Sequence, residues 1–198
     1  MTGLFKASKI PLLLLGVVAT ACSSVTVQDY AEREPKLNME TFFNGELVAY
    51  GVVKNWRGRV IRRFQADIEA SWKEGTGTLD EDFLFDDGET DRRVWTLTAT
   101  GEGSYRGTAG DVVGAGELQV AGNAVFLDYV LQIPYGDGNI NVRVDDRMYL
   151  ITPQLLLNES SLRKFGLKVG ELLLVIARRE ALPPLSAATN SSGSPSEI

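Results

Sequence analysis

The residue with the most specific chemistry in this chain is Cys22, the only cysteine among 198 residues. The leader before it carries two lysines, Lys6 and Lys9, continues with an apolar run from Ile10 to Val18, and ends with the small residues Ala19-Thr20-Ala21. This order is typical of a secretory signal that ends at a lipid attachment site. We therefore predict a signal peptide over residues 1–21, acylation of the Cys22 thiol, and a lipidated N-terminus and solvated tether over residues 22–38.

Residues 19–22 resemble the lipobox of bacterial lipoproteins, with Ala19 at the position where that family usually has Leu. The alternative is a free thiol behind a leader that stays as a membrane anchor, but the apolar run is shorter than the roughly 20 residues of a spanning helix. The resemblance implies a bacterial cell-envelope protein. Because Ser23 follows the cysteine where an inner-membrane lipoprotein would have aspartate, the resemblance implies a location on the outer membrane, facing the periplasm.

Composition excludes several kinds of site. The chain has no histidine, which removes histidine-based general bases, Ser-His-Asp triads and the commonest zinc and haem ligands. A net charge of −6 argues against nucleic-acid binding and against peripheral binding to anionic lipid through a basic patch. We predict no metal, no cofactor, no nucleic-acid partner and no enzymatic activity, and the sequence identifies no protein partner.

Residues 39–179 form the predicted domain, and residues 180–198, rich in Pro, Ser and Ala, form a predicted disordered tail. Short runs of β-branched and aromatic residues between Gly- and Asp-containing turns indicate strands. The predicted strands are Glu46–Trp56, Arg59–Trp72, Thr76–Phe85, Arg92–Thr100, Ser104–Val113, Gly116–Val120, Ala124–Ile133, Asn139–Ile151, Leu155–Phe165 and Glu171–Arg178.

Tight turns between successive strands favour an all-β fold made of a single antiparallel meander β-barrel, lipocalin-like, with about eight to ten strands. Such a barrel leaves no exposed strand edge, whereas a sandwich only shortens its edges. One segment is ambiguous. Over Pro153–Lys164 the spacing of Leu155, Leu156 and Leu162 also allows a helix.

Several predicted strands carry one charged residue on an otherwise apolar face. In Arg59–Trp72, for example, Arg62 shares its face with Phe64 and Ile68, because alternate residues of a strand point to the same side. The same alternation predicts five inward-facing charges, Arg62, Glu81, Arg93, Asp111 and Asp146.

These charges have two interpretations. They can form a satisfied ion network inside the barrel, because an isolated buried charge costs several kcal/mol. They can also form the polar end of a ligand pocket. The apolar wall of that pocket would consist of Trp72, Phe83, Phe85, Trp95 and Tyr105.

Several short motifs follow one another in a fixed order along the chain. They include Phe43-Asn44-Gly45, Arg62-Arg63-Phe64, Asp86-Asp87-Gly88, Arg93-Val94-Trp95, Gly122-Asn123-Ala124, and Asp145-Asp146 with Met148-Tyr149. This series resembles a family of uncharacterised bacterial lipoproteins, DUF3833. The resemblance covers Met39 to Arg178 and implies a lipocalin-like barrel without an established activity.

Two functional hypotheses follow. In the first, the protein is a membrane-anchored lipoprotein whose barrel binds a small apolar or amphipathic ligand such as a lipid. In the second, it is a structural or interaction protein of the cell envelope whose barrel is solidly packed. The interior of the barrel separates them, because the first requires a cavity beside the inward-facing charges.

Overall fold

The computed structural model of the protein describes residues 24–181. Cys22, the predicted signal peptide and residues 182–198 of the predicted tail lie outside the described residues. Within residues 24–181, ten strands follow one another: β1 Gly45–Asn55, β2 Val60–Lys73, β3 Thr76–Phe85, β4 Thr90–Gly101, β5 Ser104–Thr108, β6 Gly116–Ala121, β7 Ala124–Tyr135, β8 Gly138–Thr152, β9 Leu155–Lys164 and β10 Leu167–Arg178.

Each strand pairs antiparallel with its neighbour in sequence, and β1 pairs with β10 from Leu47↔Arg178 to Asn55↔Gly170. The result is a closed meander barrel of ten strands, which confirms the predicted fold class. The alternative of a helix over Pro153–Lys164 is wrong, because most of that segment is strand β9. Its alternation of buried and more exposed residues outweighs the helix-compatible spacing of its leucines.

The barrel has two distinct ends. The helix end carries the first residues of β1 and a short helix, α1 (Met39–Phe42). Asn38 caps this helix, because its side-chain oxygen accepts a hydrogen bond from Thr41 N at 2.9 Å. The far end carries the turns at residues 56–59, 86–89, 136–137 and 165–166, together with the longer connection 109–115.

The core lies inside the barrel and is built by strict alternation. In β2, the buried residues Phe64, Ala66, Ile68 and Ala70 alternate with exposed polar ones. Across the barrel, Leu156 of β9 is completely buried. Burial of a leucine or phenylalanine side chain stabilises a fold by about 1.5–3 kcal/mol, so these inward faces supply most of the driving force for closure.

The segment before α1 packs against the barrel. Val27 and Leu37 are only 2% and 7% exposed, although polar residues surround them in sequence. A short 3₁₀ helix, Val27–Tyr30, places the Tyr30 ring edge-on against Phe126, with the ring centroids 5.8 Å apart. Residues 24–38, predicted to be a solvated tether, therefore lie on the barrel surface over part of their length.

A close backbone approach fixes this segment. Leu37 N donates a hydrogen bond to the Gly122 carbonyl at 2.8 Å. A Cβ atom at Gly122 would stand 1.7 Å from the Tyr30 carbonyl oxygen, and the Gly122 φ of +55° also favours glycine. In the part of the chain that the structure describes, no helix is long and apolar enough to cross a membrane.

Candidate functional site

A cavity of about 110 Å³ lies inside the barrel. Met39 and Phe43 of the α1 region bound it at the helix end, and Phe64, Phe83 and Leu174 bound it toward the far end. Most of its remaining wall is aliphatic or aromatic, contributed by Ala49, Ala66, Ile68, Leu79, Trp95, Leu97, Leu118, Leu127, Met148, Leu172 and Ile176. Four residues with ionisable side chains interrupt this apolar wall: Glu81, Arg93, Tyr129 and Asp146.

Glu81 is the ionisable residue of the cavity wall whose side chain has the fewest polar contacts. It lines the cavity from the middle of β3 and has no hydrogen-bond or ion-pair partner among residues 24–181. Burial raises the pKa of the Glu81 carboxyl to about 7, partly opposed by the positive charge of Arg93 and reinforced by Asp146 and Asp111. Near neutral pH, Glu81 is therefore poised between a carboxylate and a neutral carboxylic acid.

Arg93 is already paired. Its Nε atom donates to Oδ1 and Oδ2 of Asp111 at 3.2 and 2.9 Å, and its Nη2 atom donates to Oδ2 at 2.6 Å, so the guanidinium engages both carboxylate oxygens. Burial alone would lower the pKa of Arg93, but the hydrogen bond to Asp111 and the nearby acidic groups raise it above its usual value. This pair is the part of the predicted ion network that closes on itself.

Asp146 is held by neutral donors. It is 8% exposed and accepts a hydrogen bond from Asn158 Nδ2 at 2.8 Å and another from the Ser160 hydroxyl. Burial raises the pKa of Asp146, while the hydrogen bonds from Ser160 and Asn158 act in the opposite direction. Burial also raises the pKa of the neighbouring Tyr129 phenol well above its usual value, so Tyr129 stays neutral and can donate a hydrogen bond.

The balance of these groups determines what the cavity can accept. Three carboxyl groups, Glu81, Asp111 and Asp146, face one guanidinium, and that guanidinium is already bound by Asp111. A guest with a cationic or hydrogen-bond-donating group therefore finds an acceptor at Glu81. A guest carboxylate would face like charge.

Arg62 lies at the far end of the barrel, outside the cavity. Its Nε atom is 2.8 Å from Asp87 Oδ2, and its Nη2 atom also pairs with Glu89. Its guanidinium sits 3.6 Å from the centroid of the Phe85 ring, which lies outside the cavity wall. Arg62, predicted to belong to the interior network, therefore lies outside it, because alternation determines the side of a strand but not the depth along the barrel.

The predicted apolar wall is split in a similar way. Phe83 and Trp95 line the cavity. Trp72 and Tyr105 instead pack together at the helix end, with ring centroids 5.8 Å apart, and Trp72 Nε1 donates to the Phe43 carbonyl at 2.8 Å. Trp72 therefore supports the end of α1 through this hydrogen bond, and neither Trp72 nor Tyr105 lines the cavity.

Sequence reasoning missed Tyr129, Asn158 and Ser160 as site residues. Asn158 and Ser160 alternate with Leu156 on the inner face of β9, so the signal was present but depended on assigning that segment as a strand. Tyr129 lies in a correctly predicted strand, but the prediction of polar site residues considered only charged side chains on the inward faces. Within residues 24–181, no group of three or more Asp, Glu, His or Cys side chains is placed to hold a metal ion.

A family model described as "Protein of unknown function (DUF3833)" matches residues 16–178. None of the curated proteins compared with the chain matches it. Among solved structures, the S-type phycobiliprotein lyase from Guillardia theta is similar with a TM-score of 0.49 and 15% identity, covering 72% of this chain and 93% of the lyase. A de novo designed fluorescence-activating β-barrel is similar with a TM-score of 0.39 and 10% identity, covering 72% of this chain and 99% of the design. At these scores and identities, the architecture of the chain is established by its own strand pairing.

Proposed function

Because the chain belongs to the DUF3833 family, whose description assigns no activity, we propose its function from the site: the barrel binds a small amphipathic molecule. The observation that carries this proposal is the apolar cavity with Glu81 unpaired on its wall. Ligand sites in proteins are commonly apolar, with a small number of polar groups that orient the guest. Glu81 is the group available for that role.

The cavity volume limits the apolar part of the ligand. At about 110 Å³, the cavity is somewhat smaller than an engineered apolar cavity of about 150 Å³ that binds benzene. We therefore expect a guest whose buried part is a short alkyl group or a single small ring. A longer lipid would need Phe64 and Phe83 to move, because they bound the cavity toward the far end.

The electrostatics limit the polar part. An alcohol or an amine can donate a hydrogen bond to Glu81, and an ammonium group also compensates the excess negative charge of the interior. The proposed ligand class is thus an apolar body with a donor or cationic head. The alternative function, an interaction protein with a solidly packed barrel, predicts a filled interior and is disfavoured by the cavity. We propose binding without catalysis.

We further propose that the protein is a bacterial lipoprotein, anchored to the cell envelope through acylated Cys22. Val27 packs on the barrel in the segment that contacts Gly122 at the helix end, and the chain from Cys22 to Val27 spans at most about 18 Å, so the anchor would hold the helix end close to the membrane. Metabolic labelling with a palmitate analogue tests this step. Label should enter the wild-type chain and be lost in Cys22→Ser, and equal labelling of both would contradict it.

Calorimetric titration of the full-length chain carrying Cys22→Ser tests ligand binding, with benzylamine, benzyl alcohol and benzoate as probes. At about pH 8 we expect binding in the order benzylamine, benzyl alcohol, benzoate, because Glu81 is then mostly ionised. Glu81→Gln should remove the preference for benzylamine while benzyl alcohol still binds.

A matched pair of variants locates the binding site. Ala66→Leu fills the cavity and should abolish binding of benzyl alcohol, whereas Ala99→Leu makes the same chemical change on an exposed part of β4 and should leave binding intact. Equal binding by both variants, or no binding of any probe by the reference chain, would overturn the proposal.

A further inference from the structure

Two neighbouring hairpins at the far end carry a concentrated positive charge. Residues 54–59, at the β1–β2 turn, contain three basic residues and no acidic one, and residues 163–168, at the β9–β10 turn, also contain three and none. The two tips are adjacent, because β1 pairs with β10 up to Asn55↔Gly170. We call these two segments together the aromatic–basic patch.

Each tip also presents an aromatic side chain to solvent. Trp56 is 62% exposed and Phe165 is 91% exposed. A cation lies over each ring, with Arg57 Cζ 4.4 Å from the Trp56 centroid and Lys164 Nζ 4.9 Å from the Phe165 centroid. Leu167, 73% exposed, adds further apolar surface beside Phe165.

The positive charge of the patch is largely uncompensated. Among the described residues, Lys168 alone of the six basic residues forms a salt bridge, with Glu171, which also lies opposite Lys54 in the β1–β10 pairing. The β3–β4 turn at the same end shows the opposite pattern. Its segment 86–91 contains four acidic residues, and three of the acids there pair with neighbouring arginines: Asp86 with Arg63, and Asp87 and Glu89 with Arg62.

We propose that the aromatic–basic patch docks on the surface of an anionic lipid bilayer that faces the far end, opposite the membrane that would hold acylated Cys22 near the helix end. Tryptophan and other aromatic side chains insert at the level of the headgroups, and Lys and Arg beside them bind the lipid phosphates. The patch has that arrangement, since its rings project from hairpin tips and its cations stand around them. The net charge of −6 argues against such binding, but it is a sum over the whole chain. The patch itself has an excess of positive charge.

The bilayer fits the patch better than nucleic acid does. Nucleic acid also combines phosphates with surfaces for stacking, but it offers no apolar phase for Leu167, which is 73% exposed beside Phe165. A bilayer can bury both side chains below its headgroups, and the acids of the neighbouring 86–89 turn pair with Arg62 and Arg63, which reduces their repulsion of an anionic surface.

Vesicle sedimentation of the full-length Cys22→Ser chain tests the proposal, because this background cannot be acylated. We expect stronger binding to vesicles that contain phosphatidylglycerol than to pure phosphatidylcholine vesicles. Replacing Trp56 and Phe165 together by serine should weaken the partition coefficient by roughly tenfold or more. Lys164→Gln should weaken it roughly fivefold.

Two controls separate docking from general surface effects. Ile151→Ser removes an apolar side chain, 52% exposed, at the helix end and should leave binding unchanged. Arg106→Gln removes a surface cation that already pairs with Glu117 and should also have little effect.

Tryptophan fluorescence provides an independent readout. Trp56 is the exposed tryptophan, so its emission should shift to the blue when phosphatidylglycerol vesicles are added, and Trp56→Phe should remove the shift while retaining most of the binding. An unchanged emission spectrum, a lack of preference for anionic vesicles, or equal losses in the patch and control variants would overturn the proposal.

Discussion

The two ends of the barrel use phenylalanine in opposite ways. At the helix end, Phe42 and Phe43 are each 3% exposed and pack edge-to-face with ring centroids 5.0 Å apart. At the far end, Phe165 is 91% exposed. The helix end is therefore completed by packing within the chain, whereas the far end leaves apolar surface for contacts outside it.

The first prediction applies the same substitution to both ends. Phe42→Ala should lower the free energy of unfolding by about 3–5 kcal/mol, because it leaves a cavity beneath α1. Phe165→Ala should change it by less than about 0.5 kcal/mol, because the ring is already in solvent. Urea unfolding followed by circular dichroism measures both values. Similar losses for the two variants would contradict the distinction between the ends.

The second prediction compares two glycines with positive φ. Gly122→Ala should cost about 2–4 kcal/mol, because the new Cβ meets the Tyr30 carbonyl in addition to the unfavourable φ. Gly166→Ala has a φ of +78° but open space around it, so its cost should be only about 1–2 kcal/mol.

Thermal unfolding of both glycine variants checks this difference, and limited proteolysis shows where it arises. In Gly122→Ala, cleavage should become faster within residues 24–38, because the segment loses its close approach to the barrel. Cleavage of that segment at the wild-type rate would mean that the contact at Gly122 does not hold it.

The strands were predictable from the sequence because turns and alternation are both local signals. β3, for example, has the predicted bounds Thr76–Phe85. The position of Arg62 was not predictable, because alternation carries no information about depth in the barrel. The packing of residues 24–38 was also hidden, since Val27 and Leu37 are isolated apolar residues without a period.

The candidate site was partly predictable for the same reason. Glu81, Arg93 and Asp146 line the cavity as the inward faces indicate, with Asp111 bound to Arg93. Which of these charged groups are paired depends on contacts between segments that are separated in sequence, such as β4 and the 109–115 connection. The aromatic–basic patch was missed because the net charge sums over the whole chain. The positive charges of the β1–β2 and β9–β10 turns are cancelled in that sum by acidic segments such as 86–91.

The third prediction concerns the cavity between the two ends. Glu81 binds its proton more tightly in the folded state, so its contribution to stability is present below its ordinary pKa of 4.5 and is lost as the pH rises through about 7. Glu81→Gln removes this loss. At about pH 8 the variant should be more stable than wild type by about 1–3 kcal/mol, and at about pH 4.5 the two should be nearly equal.

Urea unfolding at these two pH values measures the effect, and Glu69→Gln, an exposed residue on the outer face of β2, is the matched control. The control should show the same pH dependence as wild type. If the stability difference between Glu81→Gln and wild type does not change with pH, Glu81 is solvated. The cavity would then be as accessible to water as the far end is, contrary to the account given above.

The central claim, that the cavity holds an amphipathic guest oriented by Glu81, is tested most directly by a carboxyl NMR titration of Glu81 with and without benzylamine. Without the ligand, Glu81 should titrate with a pKa of about 7. With benzylamine bound, the ammonium group should lower that pKa by roughly one unit or more, because an adjacent cation favours the carboxylate. A Glu81 pKa that stays the same at saturating benzylamine would contradict the claim.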